Sequence, residues 1–136
     1  MTGDPDVRWR QRSESYQRVL ASLEIAVRID DPNRIEQAGT IQFFEISFEL
    51  AWKLMRDYLQ AQGFDDVRSP RAAIKKAYEV GLITDGHTWL EALKDRNRTT
   101  HIYDEAVVDA ITAEVRTMYM PVLRKLRETF DALNHA

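Results

Sequence analysis

The fold class is decided by residues 41–59, which read IQFFEISFELAWKLMRDYL. Apolar side chains recur there every three or four residues, the spacing that places them on one face of an α-helix. This main stripe comprises Ile41, Phe44, Phe48, Trp52, Met55 and Leu59. A second stripe, on another face of the same helix, comprises Phe43, Ile46, Leu50 and Leu54. A helix that is apolar on two sides either lies at the centre of a bundle or also packs against a second chain.

Capping and turn signals divide the rest of the chain into further helices. The expected spans are about Val7 or Ser13 to Ile29, Asn33 to Gln62, Ser69 to Gly81, a short helix capped by Thr84 or Asp85, and about His101–Asp104 to Leu133. Ser69 before Pro70 is a typical helix start, because serine caps the first turn and proline suits its first position. Pro121 falls inside the last span and removes one backbone hydrogen bond, so we expect a kink near residues 117–121. No stretch alternates as a β-strand does, and the sequence predicts an all-α, up-and-down bundle of four main helices plus a short one.

Length and composition describe one domain. The chain has 136 residues, a length that can bury a core without disulfides. Its composition of 44% hydrophobic and 30% charged residues is typical of a globular protein. We expect a single domain over residues 1–136, with residues 1–7 as a flexible tail. Cysteine is absent, which excludes disulfides, thiolate nucleophiles and cysteine-bound metals. The net charge is −3, so any contact with nucleic acid must be through a local basic patch.

Neither membrane nor export signals are visible in this sequence. No segment approaches the roughly 18 consecutive apolar residues of a membrane-spanning helix, and the N-terminal residues lack an apolar signal core. We therefore expect a cytoplasmic protein with no membrane partner.

The most polar run in the second half of the chain is residues 95–105, which read DRNRTTHIYDE. Arg96 and His101 are five residues apart, about 140° around an ideal helix, so they converge only if the helix breaks or two copies meet. Thr99-Thr100 supplies such a break, because threonine is β-branched, which lowers its helix propensity, and is also a good helix cap. With such a break, a histidine that titrates near neutrality can take a proton from a ribose 2′-hydroxyl. The arginine can then hold the scissile phosphate.

A structural interpretation without any catalytic role also fits the same residues. The run can be a capped helix junction whose charges are merely solvated, and the spacing alone does not decide between the two. A metal site is not indicated, because there is no cysteine, no His-Glu-x-x-His motif and no ligand spacing among His87, His101 and His135. The glycines are isolated, so no glycine-rich phosphate loop or cofactor site is expected either.

Two segments resemble the nucleotidyltransferase substrate-binding protein family, a branch of the HEPN superfamily. One is residues 44–53, FEISFELAWK, and the other is residues 95–105. Between them, the family pattern is followed in order by Ser69-Pro70-Arg71, Gly81-Leu82-Ile83 and Trp89. The resemblance runs from about Tyr16 to Leu133. The Arg-x4-His-x-Tyr element is short, but at this distance from the Phe-Glu-x3-Glu-x2-Trp-Lys helix it is fairly specific.

The resemblance implies a HEPN-type helical bundle that forms a homodimer and a complex with a minimal nucleotidyltransferase. In the toxin–antitoxin version of the family, the HEPN protein is a metal-independent ribonuclease. Arg-x4-His motifs from two chains line one cleft at the dimer interface. The nucleotidyltransferase, acting as antitoxin, silences the ribonuclease by transferring AMP to the tyrosine of the motif.

Carried over position by position, the resemblance assigns roles to four residues. Arg96 would bind the phosphate of the RNA substrate, Asn97 would orient the site, and His101 would be the general base. Tyr103 would be the adenylylated residue, where AMP adds bulk and negative charge at the RNA entrance. Further RNA contacts are expected from nearby basic residues, namely Arg98, Arg71 and Lys75.

Three functions remain open on the sequence. The leading hypothesis is a toxin ribonuclease, active as a homodimer and neutralised through Tyr103. The rival is a non-catalytic subunit whose cleft binds a substrate or nucleotide for the same nucleotidyltransferase and cleaves nothing. The third is a purely structural bundle.

Overall fold

The computed structural model describes residues 4–98 and 104–136, and every regular element in them is helical. The helices are α1 (Pro5–Val27), α2 (Arg34–Ala61), α3 (Pro70–Glu79), α4 (Gly86–Arg98), α5 (Glu105–Glu114) and α6 (Met120–Asn134), and a π-helical turn (Val115–Tyr119) joins α5 to α6. No strand occurs in these two ranges, so the predicted all-α class is confirmed. Helix α1 begins at Pro5 with Asp4 as its cap, so residues 5–7, which we expected in a flexible tail, form its first turn.

The helix boundaries follow the capping signals of the sequence. Asn33 and Glu36 form a reciprocal capping box at the start of α2, with hydrogen bonds of 2.8 and 2.9 Å. The Ser69 hydroxyl accepts from the backbone of the third residue of α3, and Pro70 is its first residue, as predicted. The turns after α2 and α3 contain Gly63 and Gly81 with φ of 96° and 82°, a conformation that glycine adopts without strain.

Helix α2 lies at the centre of the bundle, where it contacts α1, α3, α4, α5 and α6. All six residues of its main stripe are buried. Each large side chain removed from water in this way contributes about 1.5–3 kcal/mol to folding. The second stripe is divided: Leu54 is buried and Phe43 and Leu50 are partly buried, whereas Ile46 is 36% exposed. Most of this stripe therefore packs against the core, and Ile46 reaches the surface.

The last helical segment is irregular where the sequence predicted a kink. The turn at Val115–Tyr119 is π-helical, and the Met120 N–H bonds to the Val115 carbonyl five residues earlier. Pro121 follows at once; in a regular helix its ring would clash with the carbonyl four residues before it, on Thr117. The wider π-turn is the form that this irregularity takes, and such turns hold one extra residue within a helix.

None of the helices in the described parts of the chain is long and apolar enough to cross a membrane.

Candidate functional site

The last turn of α4 carries the first half of the polar run singled out in the sequence. Asp95, Arg96, Asn97 and Arg98 all belong to this helix, and Asp104 adopts an extended conformation and caps α5. The helical conformation is therefore absent at Asp104, and α5 begins as a separate helix at Glu105. The predicted break at Thr99-Thr100, the general base His101 and the modified residue Tyr103 lie outside the described residues.

Arg96 is held between α4 and α2. Its Nη1 donates to Glu49 Oε2 at 2.9 Å, and Lys53 Nζ lies 3.4 Å from Glu49 Oε1. The guanidinium carbon of Arg96 lies 5.7 Å from the centre of the Phe48 ring, within reach of a cation–π interaction. The Arg96 side chain is 27% exposed. The guanidinium is thus held in one orientation by the carboxylate and the ring, yet it remains accessible from solvent.

Beside Arg96 lies an open surface concavity of about 390 Å³, which we call the α2–α4 concavity. It is lined by Gln42, Glu45, Ile46, Glu49, Leu50 and Arg96. Two of these residues, Ile46 and Leu50, belong to the second apolar stripe of α2. The exposed part of that stripe and the guanidinium of Arg96 therefore share one surface.

On another side of the same helical turn, a polar cluster joins α4 to the π-turn. We call it the 95–119 cluster, and its members are Asp95, Arg98, Glu114 and Tyr119. The Tyr119 hydroxyl donates to Asp95 Oδ2, and Arg98 Nη1 lies 2.7 Å from Asp95 Oδ1. The Tyr119 hydroxyl also lies 3.5 Å from Glu114 Oε2, and Arg98 Nη1 lies 4.0 Å from that same oxygen. Asp95 is 4% exposed and Tyr119 1%, so the cluster closes over a buried carboxylate.

These contacts displace the proton affinities of the cluster in opposite directions. The hydrogen bond with Asp95, burial and the charge of Asp95 together raise the pKa of Glu114 to about 7. For Asp95, burial is the largest single influence and acts upward, but hydrogen bonds from Glu114, Tyr119 and Arg98 outweigh it and lower its pKa. Burial, followed by the hydrogen bond to Asp95, raises the pKa of Tyr119 well above its ordinary range. At neutral pH, therefore, Asp95 is ionised, Tyr119 is neutral, and Glu114 is near its midpoint.

The predicted RNA-binding residues do not all lie together. Arg98 shares the last turn of α4 with Arg96 but is engaged by Asp95. Arg71 and Lys75 are on α3, which packs against α2 and α4. Lys75 lines a concavity with His87, in the first turn of α4, nine residues before Arg96. At 1.5 Å per residue, this is about 14 Å along the helix axis from Arg96.

Some residues of this region escaped the sequence analysis. No role is assigned to Glu49 on the sequence alone, although it stands in the α2 segment that carries the family resemblance. The contact between Asp95 and Tyr119 joins residues 24 positions apart, and only the neighbouring Pro121 signalled that the helix is irregular there. In the two described ranges, no group of three or more histidine and carboxylate side chains could hold a metal ion.

Comparison with known proteins identifies the family. The family model for nucleotidyltransferase substrate binding protein-like proteins matches residues 11–132. The chain belongs to this family. Its place in the HEPN superfamily, inferred from the two motif segments, is thereby confirmed.

Two relatives of this family member are informative. A protein of Haemophilus influenzae strain Rd, named as a probable ribonuclease HepT, is 34% identical over 88 residues, which cover 57% of this chain and 56% of that protein. The match thus spans little more than half the length of this relative. The crystal structure of a protein from Thermus thermophilus superimposes with a TM-score of 0.73 at 32% identity. It covers 84% of this chain and 93% of the other, so the helical bundle is a fold that the two share.

Proposed function

We propose that this protein is a toxin endoribonuclease that cleaves RNA without a metal ion, at a cleft formed by two copies of the chain. The observation that carries the proposal is the setting of Arg96. Its guanidinium is oriented by Glu49, remains accessible, and stands at the end of α4 directly before the segment that contains His101. The name of the Haemophilus influenzae relative agrees with a ribonuclease.

The chemistry requires a base, a phosphate ligand and a leaving group. His101 removes the proton of a ribose 2′-hydroxyl, and the 2′-oxygen attacks the adjacent phosphorus. The bond from phosphorus to the 5′-oxygen breaks and a 2′,3′-cyclic phosphate forms, while the leaving 5′-oxygen takes a proton from water and becomes a hydroxyl. Arg96 stabilises the negative charge that develops on the phosphate oxygens, and Asn97 orients the site. Arg98, Arg71 and Lys75 contribute further cations to the RNA backbone.

Cleavage of a mixed-sequence RNA oligonucleotide in the presence of EDTA tests this function. We expect Arg96→Ala and His101→Ala to lower the rate at least about 100-fold, because each removes a group that acts in the transition state. Matched controls are Arg18→Ala, which removes an exposed arginine of α1, and His135→Ala, which removes an exposed histidine after α6; both should keep the wild-type rate. The same two active-site variants should relieve the growth arrest that wild-type expression causes in a bacterium.

A second function is favoured by the description of the family, which is that of substrate-binding proteins. In that case the cleft holds a nucleotide for a partner nucleotidyltransferase. Folded wild-type protein would then leave RNA intact in the same assay and bind ATP, and Arg96→Ala would abolish this binding. That result would favour a substrate-binding subunit over a ribonuclease.

The proposal also includes neutralisation by a minimal nucleotidyltransferase through Tyr103. The Tyr103 phenol oxygen attacks the α-phosphorus of ATP and pyrophosphate leaves, which places AMP two residues from His101. After co-expression with such a partner, the intact mass of the chain should rise by one or more AMP units. Tyr103→Phe should abolish the addition, whereas Tyr78→Phe, which alters an exposed tyrosine of α3, should not. An unchanged mass for wild type would remove this part of the proposal.

A further inference from the structure

The turn that carries Arg96 is fixed from two directions. Its side chain is bound by Glu49 on α2, and the residue before it in the chain, Asp95, is bound by the π-turn. The Cα atoms of Asp95 and Arg96 are about 3.8 Å apart, as in any trans peptide, so a shift of one moves the other. The 95–119 cluster therefore controls where the backbone of Arg96 lies.

The π-turn is what brings the partners of Asp95 together. Glu114 and Tyr119 are five residues apart, and on a regular α-helix such residues point about 140° apart. In a π-helical turn the backbone bonds run between residues five apart, so two residues at this spacing lie on nearly the same face. Here the Tyr119 hydroxyl lies 3.5 Å from Glu114 Oε2 and donates to Asp95. The irregular turn thus presents two side chains to one buried carboxylate.

We propose that Tyr119 and Glu114 are positioning residues of the RNA cleavage site and act on Arg96 through Asp95. This inference rests on the proposed function. Neither residue need touch the RNA: Tyr119 is buried, and Glu114 faces Asp95 and Arg98. Their effect is to hold the end of α4 in one place, and small displacements of a phosphate-binding group are costly to catalysis.

The charges of the cluster make this support dependent on pH. The groups that face Glu114 are Asp95 and Arg98 from α4 and Tyr119 from the π-turn, with Glu91 of α4 acting on Tyr119. When Glu114 holds its proton, Arg98 balances the single charge of Asp95. When Glu114 ionises, two carboxylates share one arginine, and the cluster loosens. We therefore expect the support to be complete below about pH 7 and to weaken above it.

The first test compares two variants that each lose one buried tyrosine hydroxyl. Tyr119→Phe removes the hydrogen bond to Asp95, whereas Tyr16→Phe removes a 2.7 Å bond to the Leu123 carbonyl at the contact between α1 and α6. Tyr119→Phe should lower kcat for RNA cleavage by about 10- to 100-fold with little change in KM, because the turn that carries Arg96 is displaced. Tyr16→Phe should stay within about twofold of wild type. Equal losses in the two variants would reduce the role of Tyr119 to general stability and overturn the inference.

The second test uses the pH profile of cleavage. A base such as His101 gives a rate that rises as it loses its proton, and the ionisation of Glu114 should add a fall above about pH 7. Glu114→Gln keeps a hydrogen-bonding side chain but cannot ionise, so the fall at alkaline pH should disappear while the rise at acid pH remains. An alkaline fall that persists in Glu114→Gln would contradict the assignment.

A measurement without RNA separates this inference from the proposed function. Amide hydrogen exchange of residues 94–98 should be faster in Tyr119→Phe than in Tyr16→Phe, at a pH where both are folded. If wild type cleaves no RNA but this exchange difference is present, the proposed function fails and the positioning of the α4 end stands. If wild type cleaves RNA but the two variants exchange alike, the inference fails alone.

Discussion

Glu114 is the residue whose ionisation should be most visible in the stability of the protein. In the folded chain it keeps its proton up to about pH 7, whereas in the unfolded chain it loses it near its ordinary value of 4.5. The folded state thus holds the extra proton, and the stability that this group contributes is present at low pH and lost as pH rises through 7.

Glu114→Gln should remove this dependence. We subtract the free energy of unfolding of wild type from that of the variant at each pH. This difference should be about 1–2 kcal/mol larger at about pH 8.5 than at about pH 5, a range that allows for the partial exposure of Glu114. Urea unfolding at the two pH values measures it. The control is Glu128→Gln, which neutralises a glutamate of α6 outside the 95–119 cluster and should show no relative gain. A constant difference between Glu114→Gln and wild type at both pH values would refute the shifted ionisation.

At the scale of single residues, the sequence predicted the arginine of the site but not its surroundings. Arg96 stands out because it lies in the most polar run of its half of the chain. Arg96 is oriented by Glu49, which lies 47 residues away in the sequence. Its neighbour Asp95 is bound by Tyr119, which lies 24 residues away. Sequence spacing reports which residues share a helical face, and it carries no information on which side chains meet across two helices.

At the scale of the element, helix starts and the core face of α2 were predictable, because both depend on neighbouring residues. The Ser69-Pro70 start and the capping box at Asn33 satisfy backbone N–H groups locally, and the main stripe of α2 is buried as its period indicated. The π-turn was only half predictable. Pro121 indicates that a regular α-helix is disturbed within one turn before it, whereas no signal in the local sequence distinguishes a π-turn from a simple kink.

At the scale of the whole molecule, the exposed Ile46 of the second stripe marks the surface of α2 where we expect a second copy of the chain to pack. The exposed part of the second stripe adjoins Arg96 in the α2–α4 concavity. A dimer through this surface would bring two copies of Arg96 close together, which is the arrangement that the proposed cleft needs. The family fold and the bundle were predictable from the sequence, but burial within one chain and burial between two chains produce the same apolar pattern.

Light scattering at micromolar concentration tests the dimer. Wild type should have the mass of two chains, and Ile46→Asp should shift it to the mass of one, because the substitution removes an apolar contact and adds a third carboxylate beside Glu45 and Glu49. The control is Ile25→Asp, which places the same charge at a 68% exposed isoleucine of α1 and should leave the dimer intact. Monomeric wild type, or dimeric Ile46→Asp, would exclude this surface as the interface.

The π-turn also restricts how the length of the chain can change over evolution. It holds one residue more than an α-helix would use over the same region, so deleting any one of residues 115–119 would leave a more regular helix. Because the π-turn takes up its extra residue within a single turn, the helices on either side keep nearly the orientation they would have without it. Deletion of one of residues 116–118 would bring Glu114 and Tyr119 to a spacing of four, about 40° apart on a regular α-helix, so the two side chains would still share a face. Pro121 would then stand in a regular helix, where its ring clashes with the carbonyl one turn before it. Loss of a codon in the turn would thus preserve the alignment with the end of α4 but remove the wider turn that accommodates the proline.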